Sequence, residues 1–123
     1  ELGKLVARKS CIVICCLDFP YTVGLTTLVE AFALGIPVIC SRNPNFEIDI
    51  DKEGIGITVE YNDVQGWIDA IRYIADHPEE ARRMGNNARK LAEERFNLEI
   101  FSREIAESLQ EISNFSSKNR TFA

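Results

Sequence analysis

The stretch "YTVGLTTLVEAFALGIPVIC", residues 21–40, decides how the chain is read. A glycine turn at Gly24 leads into an apolar helix over about residues 25–35, and a second turn leads into a short apolar strand. Gly35 with Pro37 just beyond is helix-stop chemistry: glycine takes the left-handed conformation that closes the last turn, and proline cannot continue the helix. "PVIC" shows no alternation of polar residues, so both faces of that strand are expected to be covered. Two threonines, Thr26 and Thr27, stand at the start of the helix, and one acid, Glu30, interrupts it. The other positions of the helix are apolar or small, which predicts burial with no wide solvated face. The polar start and the lone carboxylate are therefore the residues that need a reason.

Working outward, the elements alternate. "CIVICCL" predicts a fully buried strand over about residues 11–17, preceded by a helix over about 1–9. After "PVIC", the segment "SRNPNFEIDIDKEG" reads as a polar loop with a short helical turn, and "IGITVEY" as a third strand. Gly54 and Gly56 read as turn glycines ahead of it. Asp63 is placed to cap a helix carrying Val64, Trp67, Ile71 and Ile74 on one stripe. Pro78 opens a further helix with acids at its start and bases later, which suits the helix dipole. Its core stripe is Ala81, Met84, Ala88 and Leu91, and it ends at Phe96. Asn97 caps a last helix expected to turn Ile100, Ile105, Leu109 and Ile112 inward, and "NFSSKNRTFA" reads as a polar, fraying tail. Strands apolar on both faces and separated by helices predict an α/β fold, a partial Rossmann-like parallel sheet with flanking helices. Three strands are few, because a complete doubly wound sheet has about five or six. The reading is one unit over residues 1–115 with a tail over 116–123.

Composition narrows the function. The 123 residues are 46% hydrophobic and 27% charged with a net charge of −5, the make-up of one ordinary soluble domain and a poor match to nucleic acid. No apolar run approaches the ~20 residues that span a bilayer, and no basic start leads into a short apolar core as in a signal peptide. The first residue is Glu1, and the chain reads as one entered in mid-architecture. Cys15 and Cys16 point to opposite faces of a strand, no Cys-x-x-Cys pair occurs, and His77 is the one histidine. Cys11, Cys15, Cys16 and Cys40 are therefore expected to be small buried hydrophobes in a reducing, cytoplasmic setting, with no metal bound.

In open parallel sheets the ligand sits at the carboxyl ends of the strands, where helices begin. The backbone N–H groups of Gly24, Leu25 and Thr26 would face that crevice, where the helix dipole favours an anion such as a diphosphate. Thr26 or Thr27 can add a hydroxyl donor. Glu30 follows Thr26 at i, i+4 on the same face, where a carboxylate can accept two hydrogen bonds from a vicinal diol such as ribose.

Three blocks in order, "GLTTLVEAFALGIPVICSRN", "EGIGITVEYNDVQGWIDAI" and "RRMGNNARKLAEERF", resemble the carboxyl-terminal, nucleotide-sugar-binding half of GT-B glycosyltransferases, close to the retaining family 4, also called group 1. The resemblance covers most of the chain from about Ala7 to Phe101. It implies a glycosyltransferase that takes a UDP- or GDP-linked sugar as substrate and needs no cofactor or metal. It implies that Glu30 holds the donor ribose and that Gly24, Leu25 and Thr26 hold its diphosphate. The family's amino-terminal acceptor domain and its usual basic diphosphate clamp would lie outside this chain. The isolated chain is then expected to be inactive, and any peripheral membrane contact would come through the missing part. The last helix commonly crosses back to that domain. Two departures stand out: Thr22 occupies the place of another family glutamate, and Gly24 comes one residue earlier than usual. The alternative is a non-catalytic nucleotide-binding or interaction module of Rossmann-like fold. A flavodoxin-like regulatory domain is weaker, since it needs five strands.

Overall fold

A computed structural model describes residues 10–18, 20 and 22–120, with side chains described through residue 116. The helix expected over 1–9 lies outside the described residues. The described chain forms strands β1 (Ile12–Ile14), β2 (Val38–Ser41) and β3 (Gly56–Val59), and helices α1 (Leu25–Leu34), α2 (Val64–Asp76), α3 (Pro78–Arg95) and α4 (Leu98–Arg120). It divides into two compact units, one ending at Glu93 and the other beginning at Glu94.

The sheet has the order β1-β2-β3 with both pairs parallel. Ile12 pairs with Val38 and Ile14 with Cys40; Val38 pairs with Gly56 and Ser41 with Val59. This is the partial Rossmann-like sheet that the unbroken apolar strands predict. Because side chains alternate along a strand, Ile39 and Val59 fall on one face, where they form a core with Ala70 and Ile74 of α2 and Ala81 and Met84 of α3. The alternate residues, Ile14 and Cys40, fall on the opposite face, where α1 packs on β1 through Leu28, Ala31 and Phe32, all fully buried.

Both ends of α1 are set by left-handed glycines, Gly24 at φ 81° and Gly35 at φ 67°. At the second, Ile36 N–H donates to the Ala31 carbonyl at 3.0 Å and Gly35 N–H to the Phe32 carbonyl at 3.0 Å, the paired closure of a glycine-ended helix. The β2–β3 crossover holds the expected helical turn: Glu53 N–H bonds the Asp49 carbonyl at 2.9 Å and Lys52 N–H bonds Asp49 Oδ1 at 3.1 Å. It is not simply polar, since Ile48 and Ile50 are buried and pin it to the core. Gly54 is a turn glycine at φ 63°, whereas Gly56 lies inside β3.

The α2 cap is as expected, with Asp63 Oδ1 accepting from Gly66 N–H at 2.8 Å. Its stripe is not. Trp67 is partly buried and Ala70 and Ile74 are buried, but Val64 and Ile71 are exposed. Small Ala70 lets the helix press against β2 and β3, which rotates its larger neighbours out. In α3 the residues Ala81, Met84, Ala88 and Leu91 are buried as expected, joined by Gly85 and Ala92.

Two further expectations are corrected. β1 is three residues long rather than seven and not fully buried: Val13 is 47% and Leu17 71% exposed. α2 packs on β2 and β3, while Val13, on the edge strand, is left about half exposed. In the second unit, Asn97 does cap α4, its Oδ1 accepting from Ile100 N–H at 3.0 Å. The stripe expected to face inward is instead exposed at Ile105, Leu109 and Ile112, as are Phe101 and Phe115. The helix also continues through residues 116–120, the stretch read as tail.

Candidate functional site

The carboxyl ends of the three strands lie side by side because the pairs are parallel and in register. Ser41 fastens two of them: its Oγ accepts from Cys16 N–H and donates to the Cys16 carbonyl, each at 3.0 Å. The chain leaves β1 through Cys15–Asp18 and returns at Gly24 to start α1 against the same edge. A Cβ at Gly24 would sit 2.6 Å from Ile14 Cγ2, so the helix start is seated directly on the end of β1, and only glycine permits that distance.

Among the described residues no side chain caps α1, and its first turn carries no acid. The Gly24 carbonyl accepts from Leu28 N–H at 3.0 Å, but the N–H groups of the first turn have no intrahelical acceptor. Leu25, Thr26 and Thr27 are exposed there. The structure thus brings Gly24, Leu25, Thr26 and Thr27 to the crevice end of the sheet as bare donors beside the positive pole of a helix, an arrangement suited to an anion.

Glu30 requires a correction. It is exposed, not buried, because α1 packs through the single face of Leu28, Ala31 and Phe32 and leaves the rest open. Apolar composition all round did not mean burial all round. Glu30 does share the open face with Thr26, one turn earlier, and among the described residues no basic side chain pairs with it. The carboxylate is available to a ligand that crosses the helix start.

Arg42, the base that follows β2, is held by Glu60 and lies 3.6 Å from Asp51. Asp51 also accepts from Thr58 N–H at 3.1 Å, so this group ties the crossover to β3. Cys40 is buried and its thiol is pushed up to about 12, by burial first and by the Asp51 carboxylate second; it is a packing residue, as expected. Cys15 is exposed and Cys11 and Cys16 are half-buried, so the expectation of burial holds for one of four. Among the described residues no cluster could hold a metal ion, and no helix is long and apolar enough to cross a membrane.

The strand ends also border an open cleft of about 450 Å³, lined by residues of all three, including Asp18, Tyr61 and Asn62, and by Trp67 of the neighbouring helix. None of these four was singled out as a site residue from the sequence. The available signal was positional: Asp18, Tyr61 and Asn62 each follow the last apolar residues of a strand, where open parallel sheets bind ligands.

An open parallel sheet with helices on both faces, and with a bare helix start at its carboxyl edge, defines a Rossmann-like α/β domain. The family model of glycosyl transferases group 1 matches residues 2–91. The chain belongs to that family. It is 34% identical over 70 residues to D-inositol 3-phosphate glycosyltransferase of Saccharomonospora viridis, a match covering 57% of this chain and 16% of that protein. Sucrose-phosphate synthase from Thermosynechococcus elongatus superposes with a TM-score of 0.70 at 25% identity, over 83% of this chain and 25% of the other. The chain therefore spans a quarter or less of the length of these relatives.

Proposed function

We propose that the chain is the donor-binding portion of a glycosyltransferase that moves a sugar from a UDP- or GDP-linked donor to an acceptor. One observation carries the reading: within the family-matched segment, α1 starts uncapped at the carboxyl edge of the parallel sheet, with Glu30 unpaired on its open face. Gly24, Leu25 and Thr26 offer backbone donors to the diphosphate, and Thr26 or Thr27 adds a hydroxyl. When the sugar leaves, charge grows on the diphosphate, and donors already aimed at it stabilise that change. Glu30 accepts from the ribose diol. The reaction calls for no cofactor in this scheme. The acceptor and the remaining catalytic groups belong to the part of the relatives that this chain does not span.

Thr22, standing where a second acid is common, favours a second reading, a module that binds nucleotide without transfer. Both readings predict binding. They part in the parent protein, where only the first gives transfer.

Calorimetric titration with UDP and GDP tests the assignment. Charge-assisted hydrogen bonds are worth roughly 1.5–3 kcal/mol each, so Glu30→Gln should weaken nucleotide binding about 10-fold or more. Its melting temperature should hold, since Glu30 has no partner to lose. Unchanged affinity would remove Glu30 from the ribose. The chain alone should bind nucleotide yet transfer no sugar, because acceptor and donor must be held together for reaction; measurable transfer would contradict a donor-side portion.

A further inference from the structure

Among the described residues, Ser41 is the one polar residue that is buried, at 5% exposed. It closes β2, with its backbone paired to Val59 of β3. The ladder between β1 and β2 stops at Ile14 and Cys40, so Cys16, two residues further on, has left the pairing. One hydroxyl stands in for the missing strand partners. Ser41 Oγ accepts from the Cys16 N–H and donates to the Cys16 carbonyl, each at 3.0 Å, which uses its single proton and a lone pair. Satisfying a buried hydroxyl takes one bond. Here two are made, both to the same residue, in the segment that leads to α1.

Cys16 is also what the start of α1 rests on. A Cβ at Gly24 would lie 3.4 Å from Cys16 Sγ and 2.6 Å from Ile14 Cγ2, so Gly24 sits against both residues. Ile14 is held in the ladder, and Cys16 is held by Ser41. We infer that Ser41 is a positioning residue of the donor site: through Cys16 it fixes where Gly24 and the first-turn N–H groups of α1 stand. That the site takes a nucleotide donor rests on the glycosyltransferase reading; the link from Ser41 to the helix start does not. Donors aimed at a growing charge work because they are already in place, and a misplacement of about 1 Å can cost 100-fold in rate. A side chain that locates the helix start therefore sets how well the site binds, although it acts through Cys16 rather than on the ligand.

The test compares the full chain with Ser41→Ala and Ser41→Thr by amide hydrogen exchange and by calorimetric titration with UDP, well below the melting temperature of each. Two amides report on the link: Cys16, which donates to Ser41, and Leu28, whose N–H donates to the Gly24 carbonyl at 3.0 Å in the first turn of α1. Two others are controls: Arg42, bonded to the Val59 carbonyl at 2.9 Å, and Ile36, bonded to the Ala31 carbonyl at the far end of α1. In Ser41→Ala, Cys16 and Leu28 should exchange about 10-fold faster, the effect of one lost hydrogen bond on local opening, while Arg42 and Ile36 keep their rates. UDP affinity should fall about fivefold or more. Ser41→Thr keeps the hydroxyl and should restore both exchange and affinity. A serine that served only the fold would speed all four amides together and leave the affinity of the folded chain unchanged, and that result overturns the inference. So does a faster Cys16 with Leu28 unmoved, selective exchange with parental UDP affinity, or a threonine that behaves like alanine. If UDP fails to bind the parent chain, the donor reading falls, and the four amides still decide whether Ser41 places the start of α1.

Discussion

Gly24→Ala is expected to destabilise the chain by about 2–4 kcal/mol, the sum of a strained backbone and an overfilled contact, and to weaken UDP binding by 10-fold or more. Two causes act together. The residue sits at φ 81°, a conformation that side chains with a Cβ adopt only at a cost. The new Cβ would also lie 2.6 Å from Ile14 Cγ2 and 3.4 Å from Cys16 Sγ. Ile14 is 7% exposed and held in the sheet, so it cannot swing clear. The helix start must move off the end of β1, and its donors move with it. Gly24→Asn separates the causes: asparagine tolerates the left-handed region, so its backbone cost is smaller while the contact with Ile14 persists. Chemical denaturation with calorimetry in parallel reads both effects. An alanine variant with parental stability and parental affinity would mean that α1 is not seated on β1 as described.

The features legible in the sequence were those that local chemistry decides. α1 is bracketed by glycines and followed by proline, so both its ends could be placed. The α3 stripe repeats with helical spacing over four residues, all of which are buried. The parallel sheet followed from apolar strands alternating with helices. What escaped was decided by tertiary neighbours. The outward turn of Ile71 depends on Ala70 meeting β2 and β3, and the burial of Ile48 and Ile50 depends on where the crossover lies. Neither shows as periodicity. Glu30 illustrates the same limit from the other side: its helix is apolar all round, yet one face alone packs. At the site, the helix start was readable because it is one continuous segment. The cleft beside Tyr61 was not, because it joins residues from three strand ends and one helix.

Gly85→Val should be strongly destabilising to the first unit. A glycine inside a helix ordinarily costs about 1 kcal/mol relative to alanine, so propensity alone predicts that filling Gly85 would stabilise α3. The packing reverses that sign. A Cβ there would lie 2.2 Å from the Gly35 carbonyl oxygen and 3.1 Å from the Gly35 carbonyl carbon. These are backbone atoms of a left-handed cap at φ 67°, so no rotamer change relieves the contact. α3 would have to lift from the end of α1, loosening the contact that Arg89 makes by donating to the Ala33 carbonyl. The buried row of Met84, Ala88 and Leu91 would lift with it. Overpacking of this kind costs about 1–3 kcal/mol and occasionally more. Gly85→Ala should fall within that range, and Gly85→Val, with two further methyl groups at the same place, should reach or exceed its top. The clash lies at the amino-terminal ends of the strands, away from the carboxyl edge. Nucleotide affinity of the Gly85→Ala chain that stays folded should therefore match the parent while its melting temperature drops. If Gly85→Ala instead raises the melting temperature, propensity outweighs packing and α3 does not meet the Gly35 turn this closely.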